Sequence, residues 1–312
     1  VVISGTLIED TYAEAFTLRT ARLVITADDA ALARTAAVSM TGFAASIIGC
    51  GCEAGIEGPL PLETTDGRPG VRVLVFARTK ADLQDQLVRR VGQCVMTAAT
   101  TACYDDLPAD ESVRLGAVLR FFGDGRQTSK RIDPALAALS GGVVPPRRLW
   151  RIPVMDGEFV VDARCGVRKG VAGGNFLILG QSAAATLDAA RRAVAAITSV
   201  PGVMLPFPGG IVRSGSKVGS RYRRLGASTN SPYCPTLRAV VPTALPEAVE
   251  SVLEIVIDGL AEEDVTAAMA AGIRAACGEG IVRIGAGNYG GRLGKHLLHL
   301  RPILARAVGG SA

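Results

Sequence analysis

"SVLEIVIDGL", residues 251–260, reads as a strand whose two faces disagree. Side chains alternate along a strand, so Leu253, Ile255 and Ile257 share one face while Val252, Glu254, Val256 and Asp258 share the other. The first face is core. The second carries two acids and two valines, so it is either half wet or kept for a ligand. An ionised carboxylate in a dry site costs several kcal/mol unless it is paired, solvated or protonated. The bland reading of Glu254 is a half-exposed acid on a solvated sheet face; what surrounds the segment decides between the two.

Working outward, the pattern around this strand occurs twice. In the first half, 21–29 reads as a strand, 30–41 as a helix and "ASIIGC" (45–50) as a strand. After a turn-rich loop, "VRVLVFAR" (71–78) leads into a helix with Leu83, Leu87, Val91 and Cys94 in one stripe, and a further strand should follow. In the second half, "GNFLILG" (174–180) precedes a helix carrying Leu187, Ala190, Val194 and Ile197, then "GVMLPF". After another long loop, the opening strand leads into a helix with Val265, Met269, Ile273 and Ala276, then "GIVRIGAG". Strand–helix–strand, loop, strand–helix–strand is the order of a ferredoxin-like unit, with two helices on one face of an antiparallel sheet. The expectation is an α+β protein of two duplicated ferredoxin-like lobes, 1–160 and 161–312. Glu254 then points from the open face, where another lobe, a subunit or a ligand must cover it.

Composition narrows the function classes. The 312 residues exceed the usual single core, and 48% hydrophobic with 20% charged residues describes a globular chain. Aromatic residues, at 4%, are too few to favour stacked nucleic-acid binding. The uncharged runs 35–52 and 170–187 are broken by Gly, Ser, Thr or Gln and do not read as membrane spans. The first residues lack the features of a signal peptide, which makes the cytoplasm the expected compartment. Seven cysteines, none in a CxxC pair, fit a reducing environment, and with only His296 and His299 a zinc site is not expected.

The loop before the opening strand, 205–236, holds Arg213, Lys217, Arg221, Arg223 and Arg224 and no acid. A Gly-rich basic loop suits an anionic ligand such as a phosphate or polycarboxylate, and equally a solvated basic surface. "GAGNYG" (285–290) satisfies the dinucleotide fingerprint, but only 22 residues follow it and none is acidic, so close backbone packing explains its glycines better. No P-loop and no G-x-S-x-G elbow is present. Cys234 in "YCPT" reads as a packed thiol rather than a nucleophile.

The residues also carry a resemblance. "IEDTYAEAF", "EAGIE", "TDGRPGV", "GQCVMTA", "FFGDG", "GVAGGNF", "PFPGGIV", "SKVGS", "ASTN", "YCPT", "EIVIDGL" and "GNYGGRLG", in that order between residues 8 and 294, resemble the formylmethanofuran:tetrahydromethanopterin formyltransferase family. The resemblance implies no metal or prosthetic group, methanofuran and tetrahydromethanopterin (or its dephospho form) as cosubstrates, and a site completed by a neighbouring subunit. It puts Glu254 at the position of the proposed catalytic acid. Candidate substrate-binding residues stand on the matching motifs: Phe122, then Pro208, Gly209, Gly210 and Arg213, then Lys217, Ser228, Thr229 and Asn230, and finally Asn288. The basic character, the altered stretch 128–147 and the longer end "RPILARAVGGSA" are similar to the bacterial, methylotroph version, which forms part of a formyltransferase/hydrolase complex. Homo-oligomers, other subunits of such a complex and small-molecule cofactors are the implied partners, without nucleic acid or membrane. The rival is a non-catalytic binding or scaffold module, because a fold does not fix an activity. Direct hydrolysis of the formyl-pterin finds no metal cluster or activated nucleophile in the sequence.

Overall fold

The computed structural model describes residues 1–60, 64–132 and 147–306. Most of the altered stretch 128–147 and the last six residues therefore lie outside the described residues. The chain divides into two compact units, Leu18–Gly170 and Val1–Thr17 with Val171–Ala312. The expected halves differ from these units mainly in the first seventeen residues, which fold with the C-terminal half.

In the unit Leu18–Gly170, the strand Glu53–Leu60 pairs with Gly70–Ala77, which pairs with Tyr12–Thr26, which pairs with Ala102–Asp105, each neighbour antiparallel. The helix Ala30–Thr41 starts where Asp29 accepts a hydrogen bond from Leu32 N, and the helix Lys80–Arg90 where Thr79 accepts one from Asp82 N. Each cap satisfies a donor that the first turn leaves open. The helices bury Ala33, Ala37, Met40, Leu83 and Leu87 against Leu23, Ile25, Val73 and Val75 of the sheet. Burying a leucine this completely contributes about 1.5–3 kcal/mol. Three further strands, Gly157–Asp162, Arg147–Val154 and Thr128–Ile132, extend the sheet beyond Ala102–Asp105.

The expectation of a strand at 45–50 is corrected: Ile47–Cys50 is one helical turn, closed by Gly51 with φ 79°, and the strand begins at Glu53. Ile48 stays 85% exposed, so the run of apolar letters there does not feed the core.

In the second unit, the half of Arg164–Gly180 after Val171 lies between Ser251–Gly259 and Ile281–Gly285, antiparallel to both. Val203–Met204 pairs with the far side of Ser251–Gly259, and Thr6–Ile8 runs parallel to Ile281–Gly285 at the other edge. The helices Ala183–Ile197 and Glu262–Ala276 pack on each other and on one face of the sheet. Phe176, Ile178, Ile255 and Ile257 meet Ala189, Ala193, Val265, Met269 and Ile273 in this core, as their alternation and spacing require. Leu187, expected in the helix stripe, is 36% exposed.

The opposite face of this sheet is where the outcome departs from the sequence. Leu177 and Leu179 are covered by Leu245 and Val249, with Tyr233 and Val252 packed alongside. Part of the cover expected from another lobe or chain is thus the chain's own long loop. No helix among the described residues is long and apolar enough to cross a membrane.

Candidate active site

Glu254 sits opposite Leu177 in the sheet register, and Leu177 sits opposite Gly285 on its other side. Residues directly opposite in antiparallel strands share a face, so this row crosses the face away from the helices. Glu254 is half-buried, and its carboxyl has no hydrogen-bond partner among the described residues. Burial alone pushes its pKa up to about 7, because the charged form loses water without gaining a donor. The carboxyl therefore holds its proton to a higher pH than an ordinary glutamate does.

Two pieces of backbone frame this acid. On one side, Val212 and Glu254 exchange both main-chain hydrogen bonds, at 2.8 and 2.9 Å. The turn before Val212 is the Pro208–Gly210 segment, in which Gly209 and Gly210 have φ of 64° and 75°. A methyl group on Gly210 would come within 2.6 Å of Leu205 Cδ1 and 2.9 Å of Val194 Cγ2, so only glycine fits this buried corner. On the other side lies Gly287, whose missing Cβ would stand 3.7 Å from Glu254 Oε1. Asn175 holds Gly287 from below: its Oδ1 accepts from Gly287 N at 2.6 Å and its Nδ2 donates to Gly287 O at 3.1 Å. Asn175 is opposite Val256, hence on the Glu254 face.

Charged groups on this face are few. Arg283 pairs with Glu9, whose carboxyl occupies the space over Gly285. Asp258 is fully buried and accepts from Gly173 N at 2.8 Å, so it closes a bulge in the neighbouring strand. None of these supplies a hydrogen bond to Glu254.

The structure brings together some of the sequence candidates and separates others. Pro208, Gly209, Gly210 and, one residue past the Val212 bridge, Arg213 lie beside Glu254 along the backbone. Lys217 and Ser228 face each other in a two-residue ladder, Lys217–Val218 against Ala227–Ser228. Lys217 Nζ donates to Ser231 Oγ at 2.6 Å and Ser228 Oγ to Gly219 O at 2.8 Å. Arg221, Arg223 and Arg224 sit exposed in the connection of this ladder. Thr229 Oγ1 is 3.4 Å from Cys234 Sγ, and Asn230 O accepts from Tyr233 N. Asn288 donates to Thr11 Oγ1 and Tyr12 O, which ties its loop to the start of the strand Tyr12–Thr26. Phe122, 68% exposed, belongs to the unit Leu18–Gly170. Sequence reasoning missed Asn175, although an amide in the apolar run "GNFLILG" is the same kind of signal as Glu254 in its own strand. Among the described residues no cluster of three or more His, Cys, Asp or Glu could hold a metal ion.

Known proteins resemble the chain over nearly its whole length. Residues 1–154 match the family model of formylmethanofuran-tetrahydromethanopterin formyltransferase, and residues 157–303 match its proximal-lobe model. The chain is 52% identical over 309 residues to the formylmethanofuran–tetrahydromethanopterin formyltransferase of Methylococcus capsulatus, covering 97% of this chain and 100% of the relative. It is 48% identical over 310 residues to one of the subunits of the formyltransferase/hydrolase complex of Methylorubrum extorquens, covering 97% of each. A crystal structure of the formyltransferase/hydrolase complex from Methylorubrum extorquens with methylofuran contains a chain that superimposes with a TM-score of 0.92 at 47% identity, covering 97% of this chain and 98% of that one. The formyltransferase of Methanosarcina barkeri superimposes with a TM-score of 0.90 at 44% identity, covering 97% and 100%. A match that spans both halves and nearly every residue leaves one assignment: the chain belongs to the formylmethanofuran–tetrahydromethanopterin formyltransferase family.

Proposed function

We propose that this chain transfers a formyl group between N5 of tetrahydromethanopterin, or its dephospho form, and the amine of methanofuran, with Glu254 as the proton donor. The carrying observation is a carboxyl on the sheet face away from the helices, raised to about 7 by burial and free of competing hydrogen bonds. In the direction toward methanofuran, the amine attacks the formyl carbon and forms a C–N bond, giving a tetrahedral intermediate. The bond from that carbon to N5 then breaks as Glu254 delivers its proton to N5. The carboxylate left behind takes the proton that the new ammonium must lose, so the acid is restored and no atom is unaccounted for. A donor with a pKa near the working pH suits both halves of this cycle. Backbone N–H groups of "PFPGG" and "AGGNF" are candidates to stabilise the developing oxyanion.

Each unit is read as a ferredoxin-like lobe. Both have the strand order fourth–first–third–second with a helix after the first and third strands, which supports the duplication expected of 1–160 and 161–312. Arg213 and Lys217, with Ser228, Thr229, Asn230 and Asn288, are proposed to bind the anionic cosubstrates, and Phe122 is a substrate-binding candidate on the resemblance alone. The Methylorubrum relative is a subunit of a formyltransferase/hydrolase complex; this chain is proposed to work in such a complex, and there in the oxidation of formaldehyde to formate. Formyl exchange between the two purified cosubstrates, followed spectroscopically, tests the reading: a scaffold gives none, and a formyltransferase gives exchange that Glu254→Gln abolishes.

A further inference from the structure

We propose that Glu14 is a positioning residue of formyl transfer, whose buried carboxylate holds the loop Gly287–Gly294 in the shape that places Gly287 against Glu254. Glu14 is 1% exposed in the strand Tyr12–Thr26, between the fully buried Ala13 and Ala15. Its Oε1 accepts from Tyr289 N at 2.6 Å and Gly291 N at 2.5 Å, and its Oε2 from Leu293 N and Gly294 N, both at 3.0 Å. No Lys, Arg or His is paired with it among the described residues; the loop's own amides are its counter-dipole. Burial works against the charge, but the four amides outweigh it and keep the carboxyl below its ordinary range.

A carboxylate that gathers four N–H groups from six residues defines a loop more tightly than apolar packing would. Gly294 has no room for a side chain, since a Cβ there would lie 2.6 Å from Ala15 O and 2.9 Å from Ala15 N. At its other end the loop is held by Asn175 through Gly287. Between these fixed ends, Asn288 Nδ2 donates to Thr11 Oγ1 and Tyr12 O. The loop therefore has one anchor at Asn175, beside the reactive acid, and one at Glu14. Loosening the second anchor lets the first drift, and a displacement of about 1 Å at a reacting group is enough to cost up to about a hundredfold in rate.

This inference rests on the reading of Glu254 as the proton donor, and its test keeps the two apart. In Glu14→Gln the side chain has one acceptor oxygen for four donors and turns an NH2 toward two of them. Hydrogen exchange at Tyr289, Gly291, Leu293 and Gly294 should then accelerate by about a hundredfold, while helix amides of the same unit keep wild-type protection. Turnover should fall by about ten- to a hundredfold with KM nearly constant. The alkaline limb of the pH–rate profile should also move to lower pH, because water admitted around Glu254 favours its charged form. A merely structural role would leave that limb in place. Faster loop exchange with wild-type turnover and an unmoved limb overturns the proposal, as does unchanged exchange. If the Gln variant does not fold, Glu14→Asp, which keeps the charge but shortens its reach, is read by the same measurements. Glu254→Gln separates the underlying reading: if the limb persists there, Glu254 is not the acid, and Glu14 is then judged on loop exchange and turnover alone.

Discussion

Glu14 and Glu254 are the same side chain in the same setting, an acid in a strand among apolar neighbours, and the fold gives them opposite chemistry. Glu14 is met by four main-chain donors and sits below its usual pKa. Glu254 is met by none and rises to about 7. Burial is common to both, so burial alone does not set protonation; the supply of N–H groups does. One carboxyl is thereby held charged, and the other keeps its proton to higher pH.

The sharpest way to break this contrast is Glu254→Gln. It keeps the size and removes the transferable proton, so turnover should fall by about a hundredfold or more while both cosubstrates still bind. Steady-state rates beside equilibrium binding decide it, and near wild-type turnover would make the acid structural. The next effect is on stability. The folded-state pKa of Glu254 lies above the ordinary value of 4.5, so its charged form is disfavoured in the fold. That penalty is absent below about pH 4.5, grows as pH rises, and is complete above about 7. Glu254→Gln should therefore gain about 2 kcal/mol at pH 8, a figure reduced for its partly open side, and almost nothing at pH 4.5. Denaturant unfolding at the two pH values reads the difference, and equal gains would contradict the assigned cause.

A smaller effect probes the backbone beside the acid. Gly210→Ala forces a side chain into a corner with φ 75° and no space, and should cost about 1–2 kcal/mol in thermal unfolding. If the Val212 bridge aligns Glu254, turnover falls with it. The smallest change should come from neutralising Arg213, Lys217, Arg221, Arg223 and Arg224 together. Exposed cations attract an anion through screened fields, so KM should rise a few-fold and lose its salt dependence, with kcat nearly constant. An unaltered salt response would return the loop to solvated surface.

The contrast between the two acids also measures what the sequence made legible. Glu254 stood out because its segment is short, strongly alternating and followed by a helical stripe, and these local signals survived in the strand Ser251–Gly259 and the helix Glu262–Ala276. "ASIIGC" failed because a four-residue turn and a short strand share apolar letters, and only Gly51 distinguishes them. Glu14 was in plain view in "YAEAF" yet carried no readable role. Its partners lie 275–280 residues away and are main-chain amides, which leave no trace in side-chain patterning. Asn175 shares this handicap, since Gly287 is 112 residues distant. Leu245 and Val249, which lie beyond the basic loop 205–236 and cover Leu177 and Leu179, leave no signal in the sequence because two residues make no period.

The span between Glu14 and its loop has a consequence in time. At about 5–20 residues per second, a ribosome that has made Glu14 needs on the order of 14–56 s to make Gly294, 280 residues later. For that interval the start of the strand Tyr12–Thr26 has been synthesised while the amides that will surround the Glu14 carboxylate do not yet exist. The unit Leu18–Gly170 lies entirely within the gap and has all its own strands available before the other begins to close. The order of synthesis follows: the N-terminal segment waits for its partners while the whole of the intervening unit is made.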